Sequence, residues 1–136
     1  MIFACSEYKN HTRCKEPVKM ISSIQNNASA MQAFSKHIQA SANNVANVLS
    51  DEFKSSSVYN VAAKPRGVTT VIAQDTTPGP LVADPVKNDG SFKELSNTDI
   101  AREMVQQMTA QYGFDANAKT IRTQDDTIGT IINMIG

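Results

Sequence analysis

The strongest constraint on the fold is the C-terminal stretch Ser96–Gly136, 41 residues without a proline. Nothing in it removes a backbone donor or clashes with the preceding turn, so it can form one long helix. Ile100, Met104, Met108 and Tyr112 recur at steps of four. Ala118, Ile121, Ile128, Ile132 and Ile135 follow at steps of three, four or seven. Residues spaced this way share one narrow face of a helix, and a face that narrow needs a partner helix.

Residues 20–50 supply the candidate. Ile24, Met31, Ile38 and Val45 are spaced by seven, and Ile21, Ala28, Ser35, Ala42 and Leu49 form a second series. Together they read as the two apolar positions of a heptad over about four repeats, with Phe34 widening the face. Ala28, Ser35 and Ala42 are small and leave little area to bury at ~25 cal/mol per Å², so an isolated monomer is expected to hold this helix weakly. His37 lies beside the seam and reads as a solvated surface residue.

Between the helices, residues 51–95 hold four of the five prolines, Pro65, Pro78, Pro80 and Pro85, with Gly67, Gly79 and Gly90. That composition rules out a long helix. The β-branched run from Val68 to Ala73 is the best strand, with Leu81–Ala83 a second short one. Thr77-Pro78-Gly79-Pro80 and Asn88-Asp89-Gly90-Ser91 read as turns. A small β-hairpin flanked by extended loop is expected, and two strands alone are marginal in water. At Ser96 a capping box restarts helix, with Asp99 three residues on, and both Asp99 and Glu103 suit the positive end of the helix dipole. Gly113 costs ~1 kcal/mol relative to Ala in a helix interior, so either the helix bends there or a neighbour packs tightly. Asp125 and Asp126 read as solvated.

Residues 1–19 read as a disordered extension upstream of a functional start at Met20. Pro17 is expected to break helix there, and Met1–Cys5 lacks the basic and apolar regions of a secretory signal. Cys5 and Cys14 both fall in this extension, and even with His11 they lack four ligands at metal-binding spacing. Nowhere do eighteen apolar residues run together, so no membrane-spanning helix is expected. The 136-residue chain carries 13 basic and 13 acidic side chains. Four basic and two acidic ones lie in residues 1–19, leaving nine against eleven in the remainder. With no basic stripe, nucleic-acid binding is not expected. No glycine-rich phosphate loop, catalytic constellation or metal cluster is present in the sequence, so neither an enzyme nor a cofactor is expected.

Two motifs carry a resemblance. Ser96-Asn97-Thr98-Asp99-Ile100-Ala101-Arg102-Glu103-Met104, then Ala110-Gln111-Tyr112-Gly113-Phe114-Asp115-Ala116-Asn117-Ala118-Lys119 and Thr123 to Asn133, resemble the C-terminal signature of bacterial flagellar rod and hook proteins. Ser41-Ala42-Asn43-Asn44-Val45-Ala46-Asn47 resembles that family's N-terminal asparagine motif, in the same order and flanking a β-rich insert. The resemblance implies a mainly α chain whose long N- and C-terminal helices pair as a coiled-coil-like hairpin. It implies a structural subunit of the basal-body rod that polymerises with itself and other rod proteins into the axial tube. It further implies delivery to the periplasm-spanning rod by the flagellar type III export apparatus without a cleaved signal. Because residues 51–95 leave no room for a large outer domain, the chain most resembles a short proximal rod protein. A coiled-coil adaptor or secreted type III component is the alternative.

Carried over by the resemblance, the interface residues are Asn43, Asn44, Asn47, Asn97, Tyr112 and Asn117, with Thr123. Ile38, Val45, Ile100, Met104, Ile121, Ile128 and Ile132 join them as apolar contacts. One departure stands out: the family follows its asparagine motif with a Pro-Gly turn, whereas this chain has Val48-Leu49-Ser50-Asp51-Glu52-Phe53-Lys54. The first helix then has room to run past Ser50.

Overall fold

The computed structural model describes residues 16–84, 86–87 and 90–135, with side chains from residue 22 onward. Helix α1 (Glu16–Ala46) is followed by strands β1 (Ser56–Ala62), β2 (Val68–Gln74), β3 (Leu81–Ala83) and β4 (Phe92–Glu94), and helix α2 (Ile100–Ile135) closes the chain. The chain is thus mainly α with a β insert. Cys5, His11 and Cys14 lie outside the described residues. Residues 16–19 are helical, which corrects the expectation that Pro17 breaks helix. Pro17 falls in the first turn, where its missing N–H would have had no helical partner anyway.

Helix α1 ends at Ala46 instead of running past Ser50. Asn47 stops it: its side-chain Nδ2 donates to the Asn43 carbonyl at 2.9 Å, and its backbone carbonyl accepts from Ser50 N at 3.0 Å. The reversal normally eased by Pro-Gly is made by Glu52 at a φ of 58°, in the left-handed region that costs a non-glycine residue about 1 kcal/mol or more. Glu52 N donates to the Glu94 carbonyl at 2.9 Å, which fixes it there. Helix α2 starts at Ile100, with Asp99 as the cap: its Oδ1 accepts from Ala101 N at 2.9 Å and Arg102 N at 3.3 Å. The Ser96 hydroxyl donates to Thr98 Oγ1 and accepts from Thr98 N, so the expected capping box built on Ser96 is not formed.

Among the described residues the insert holds two antiparallel hairpins, one more than expected. Strand β1 pairs with β2 from Ser56↔Gln74 to Ala62↔Val68, and β3 pairs with β4 from Leu81↔Glu94 to Ala83↔Phe92. The first hairpin lies against α1. Val68 N donates to Ser29 Oγ at 3.1 Å, and His37 Nε2 lies 2.9 Å from Asn60 Oδ1. His37 is therefore half-buried between helix and hairpin, which corrects its reading as a solvated residue.

The two helices pack against each other and run antiparallel. Ser23 meets Gln124, Phe34 meets Gly113 and Asn44 meets Glu103, steps of 11 and then 10 residues on both helices. From Ser23 to Asn44, and from Glu103 to Gln124, is 21 residues, six turns at about 3.5 residues per turn, so these contacts keep a seven-residue spacing. The seam is centred on a different phase of that repeat from the one expected: Ala28 and Ala42 are exposed, and Leu49 is 91% exposed. Ile24, Met31, Ile38 and Val45 flank the seam half-buried, while Ala33, Ser41 and Asn44 form its centre.

Small residues let the helices approach closely. Among the described residues only Ala33 and Ala110 are buried hydrophobics. At Gly113 an added Cβ would overlap the tip of the Phe34 ring, 2.6 and 2.8 Å from Cε1 and Cε2. Tight packing, not a bend, is the reason for glycine here. Gly113→Ala should therefore lower stability by about 1–2 kcal/mol net, overpacking outweighing the gain in helix propensity. Thermal unfolding followed by circular dichroism should show a Tm several degrees lower, and an unchanged or raised Tm would mean that Phe34 yields freely.

Candidate functional site

Two asparagines hold the hairpins to the helix pair. Asn44 is 0% exposed. Its Nδ2 donates to the Ser56 carbonyl at 2.8 Å and to Glu103 Oε1 at 2.9 Å, and its Oδ1 accepts from Ser56 N at 2.8 Å. One side chain thus ties α1, α2 and the start of β1. One turn earlier, the Ser41 hydroxyl donates to the Glu103 carbonyl at 3.0 Å.

Asn97 does the same work from the other side. Its Oδ1 accepts from Ser55 N at 2.7 Å, and its Nδ2 donates to the carbonyls of Asp75 and Thr77 at 3.1 and 3.0 Å. Consecutive peptides, Ser55 and Ser56, are therefore clasped by residues 53 positions apart in sequence. These amides were expected to satisfy backbone groups where helices meet; in the single chain Asn44 and Asn97 instead hold the backbone at the entry to β1.

The second hairpin is anchored at Glu94. Its Oε1 accepts from Gly79 N at 2.5 Å and pairs with Lys54 Nζ, which also donates to the Thr77 carbonyl at 3.0 Å. The Lys54 ammonium and then the Gly79 N–H hold the Glu94 carboxyl below its ordinary value of 4.5. Asp75 is likewise held below 3.8, chiefly by the backbone N–H and then the hydroxyl of Thr77. A carboxyl lowered in the folded state stabilises fully above its unfolded pKa, and that contribution is lost as pH falls through the folded value.

The remaining sequence-predicted residues separate into two groups. Asn117 back-bonds to the Gly113 carbonyl at 2.7 Å and Thr123 to that of Lys119 at 3.1 Å, both within α2. Ile38, Val45, Ile121 and Ile128 are half-buried, and the Asn43 side chain is exposed. Ile100, Met104, Tyr112 and Ile132 are exposed. These last four were expected to be covered, and within one chain they are not.

Ile100, Met104, Met108 and Tyr112, joined by Val105, form a continuous apolar stripe on the outer face of α2. Met104 is 57% and Tyr112 76% exposed. Glu103 and Ser41 are site residues that the sequence reading did not select. The available signal was that Glu103, Ala110 and Gly113 repeat at helical spacing opposite the large apolar stripe. The chain buries alanine, serine and asparagine while leaving Ile100, Met104 and Met108 exposed, and a contiguous exposed apolar face of this kind marks an interaction surface.

Comparison with known proteins agrees. Residues 90–134 match the family described as flagellar basal body rod FlgEFG protein C-terminal. Over 41 residues the chain is 42% identical to the flagellar hook protein FlgE of Escherichia coli (strain K12), covering 30% of this chain and 10% of that protein. The flagellar hook protein FlgE of Salmonella typhimurium (strain LT2) matches equally. The flagellar hook protein FlgE of Helicobacter pylori (strain 26695) is 38% identical over 45 residues, 33% of this chain and 6% of that protein. The match spans at most a tenth of the length of these relatives. This C-terminal segment is similar to that of the flagellar basal-body rod and hook proteins.

Asn44→Ala strands Glu103 Oε1 and both polar groups of Ser56, and should cost about 2–4 kcal/mol in urea unfolding. Asn43→Ala, one residue away and exposed, should stay within about 0.5 kcal/mol. Equal costs for the two would refute the clasp. Glu94→Gln should lower Tm at neutral pH, with the difference from the native chain shrinking as pH falls below the ordinary carboxyl value of 4.5 and through the lowered folded value. A difference that grows on acidification would contradict the assigned direction.

Proposed function

We propose that this chain is a structural subunit of the flagellar basal-body rod. It polymerises with itself and with other rod proteins through its paired terminal helices, forming part of the axial tube. It reaches the periplasm-spanning rod through the flagellar type III export apparatus without a cleaved signal. Rod is favoured over hook by the short insert: only two small hairpins and their connections separate α1 from α2.

The observation that carries this reading is the outer stripe of α2. Burying a side chain such as Ile or Met is worth about 1.5–3 kcal/mol, and the folded chain leaves that gain unused at Ile100, Met104 and Met108. Contact with other subunits supplies the burial. The interface residues Asn44 and Asn97 then act by shaping the subunit, while the apolar stripe makes the contacts.

Deletion of the gene should leave cells non-motile and without intact basal-body rods by electron microscopy. Met104→Glu with Met108→Glu should give the same phenotype while changing the unfolding free energy of the purified chain by no more than about 1 kcal/mol, since both sites are exposed. Intact hook–basal bodies in the deletion strain would defeat the assignment.

A further inference from the structure

The clasp leaves a cleft of about 360 Å³ between β1 and the start of α2. It is lined by Phe34, Val58, Tyr59, Val105 and Ala110, with Arg102 also facing it. No carboxylate lines it. Arg102 lies in the field of Asp75 but makes no ion pair among the described residues. The cleft therefore combines an apolar wall with one cation outside any ion pair, and the polar side chains of His37, Ser57, Asn60, Gln106 and Thr109 complete its lining.

A complementary surface lies at the other end of α2. Asp125, Ile128, Ile132 and Ile135 follow one another at steps of three, four and three, which places an acid and three isoleucines on one stripe. Asp125 is exposed, as are Ile132 and Ile135, while Ile128 is half-buried; Thr123–Ile135 contains two acids and no Lys or Arg. We propose that the last three turns of α2 from one copy of this chain dock in the Arg102 cleft of a second copy. Asp125 faces Arg102, and the isoleucines lie against the wall formed by Phe34 and Val105. The proposal rests on the axial-subunit reading above and names the surfaces by which successive copies join.

A copy cannot fill its own cleft. Arg102 and Asp125 are 23 residues apart on one helix, about 35 Å at 1.5 Å per residue. Two different surfaces at opposite ends of a molecule make a heterologous contact, and such a contact propagates into an open polymer when it does not close. A single helix in a groove is a small interface and holds weakly by itself. The contact therefore operates at high local concentration or when reinforced by lateral neighbours along the α2 stripe.

The test uses the full chain with Cys5→Ser and Cys14→Ser. Val105→Cys and Ile132→Cys are introduced together or singly, and the chain is treated with a short bis-maleimide at rising protein concentration. The double-cysteine chain should give a ladder of dimer, trimer and higher species on a denaturing gel, whereas each single-cysteine chain should give almost none. Adding Arg102→Glu should reduce the crosslinked fraction up to about fivefold, the scale of one exposed charge pair, and Arg102→Glu with Asp125→Arg should restore it. Circular dichroism of each variant guards against misfolding. Absence of a ladder, equal crosslinking by the single-cysteine chains, or a yield indifferent to Arg102→Glu would overturn the proposal. A deletion strain lacking rods, together with absence of a ladder, would leave the rod assignment standing and remove only this contact.

Discussion

The rest of the structure depends on the buried amide of Asn44. Its three-way position between α1, α2 and the Ser56 peptide sets the rotation of one helix about its axis, the height of the other, and the point where the first hairpin leaves the pair. A hydrogen bond nets only about 1 kcal/mol, but an unpaired buried partner costs more. Geometry is thus enforced by the penalty for alternatives. Asn97 grips the adjacent Ser55 peptide and carries the same constraint into the second half of the chain.

With the helices locked in this rotation, their inward faces hold Ala33, Ser41, Ala110 and Gly113, and the large side chains of α2 face out. This inverts the usual economy of a small domain, where the big apolar groups supply core stability. The seam includes polar atoms without hydrogen-bond partners, Asn27 Nδ2, Glu103 Oε2 and Gln124 Oε1. It is fixed in register but thin in hydrophobic area. The largest apolar surface of the fold is left exposed on α2, in line with the structural role proposed above.

Much of this was legible in the sequence. The absence of proline after Ser96 marked α2, the proline and glycine cluster marked the β insert, and an unexplained Gly113 pointed to a close neighbour, which is Phe34. The helix faces were misjudged because hydrophobic periodicity ranks residues by size, whereas here a buried asparagine and glutamate decide which side turns inward. Strand β1 was missed because Ser55-Ser56-Ser57 and Asn60 dilute its β-branched residues; its pairing with β2 and the two asparagine clasps form it. The end of α1 depends on Asn47 and on a left-handed Glu52, neither of which replaces a Pro-Gly signal recognisably in sequence.

The central claim is that the outer stripe of α2 is bare in the free chain and covered in the assembled structure. Methionine oxidation reads this directly, because accessible thioethers convert to sulfoxide. Peroxide labelling followed by mass spectrometry should oxidise Met104 and Met108 readily in the purified chain and leave both largely protected in isolated basal bodies. Equal oxidation of these two methionines in the free and assembled states would contradict the account.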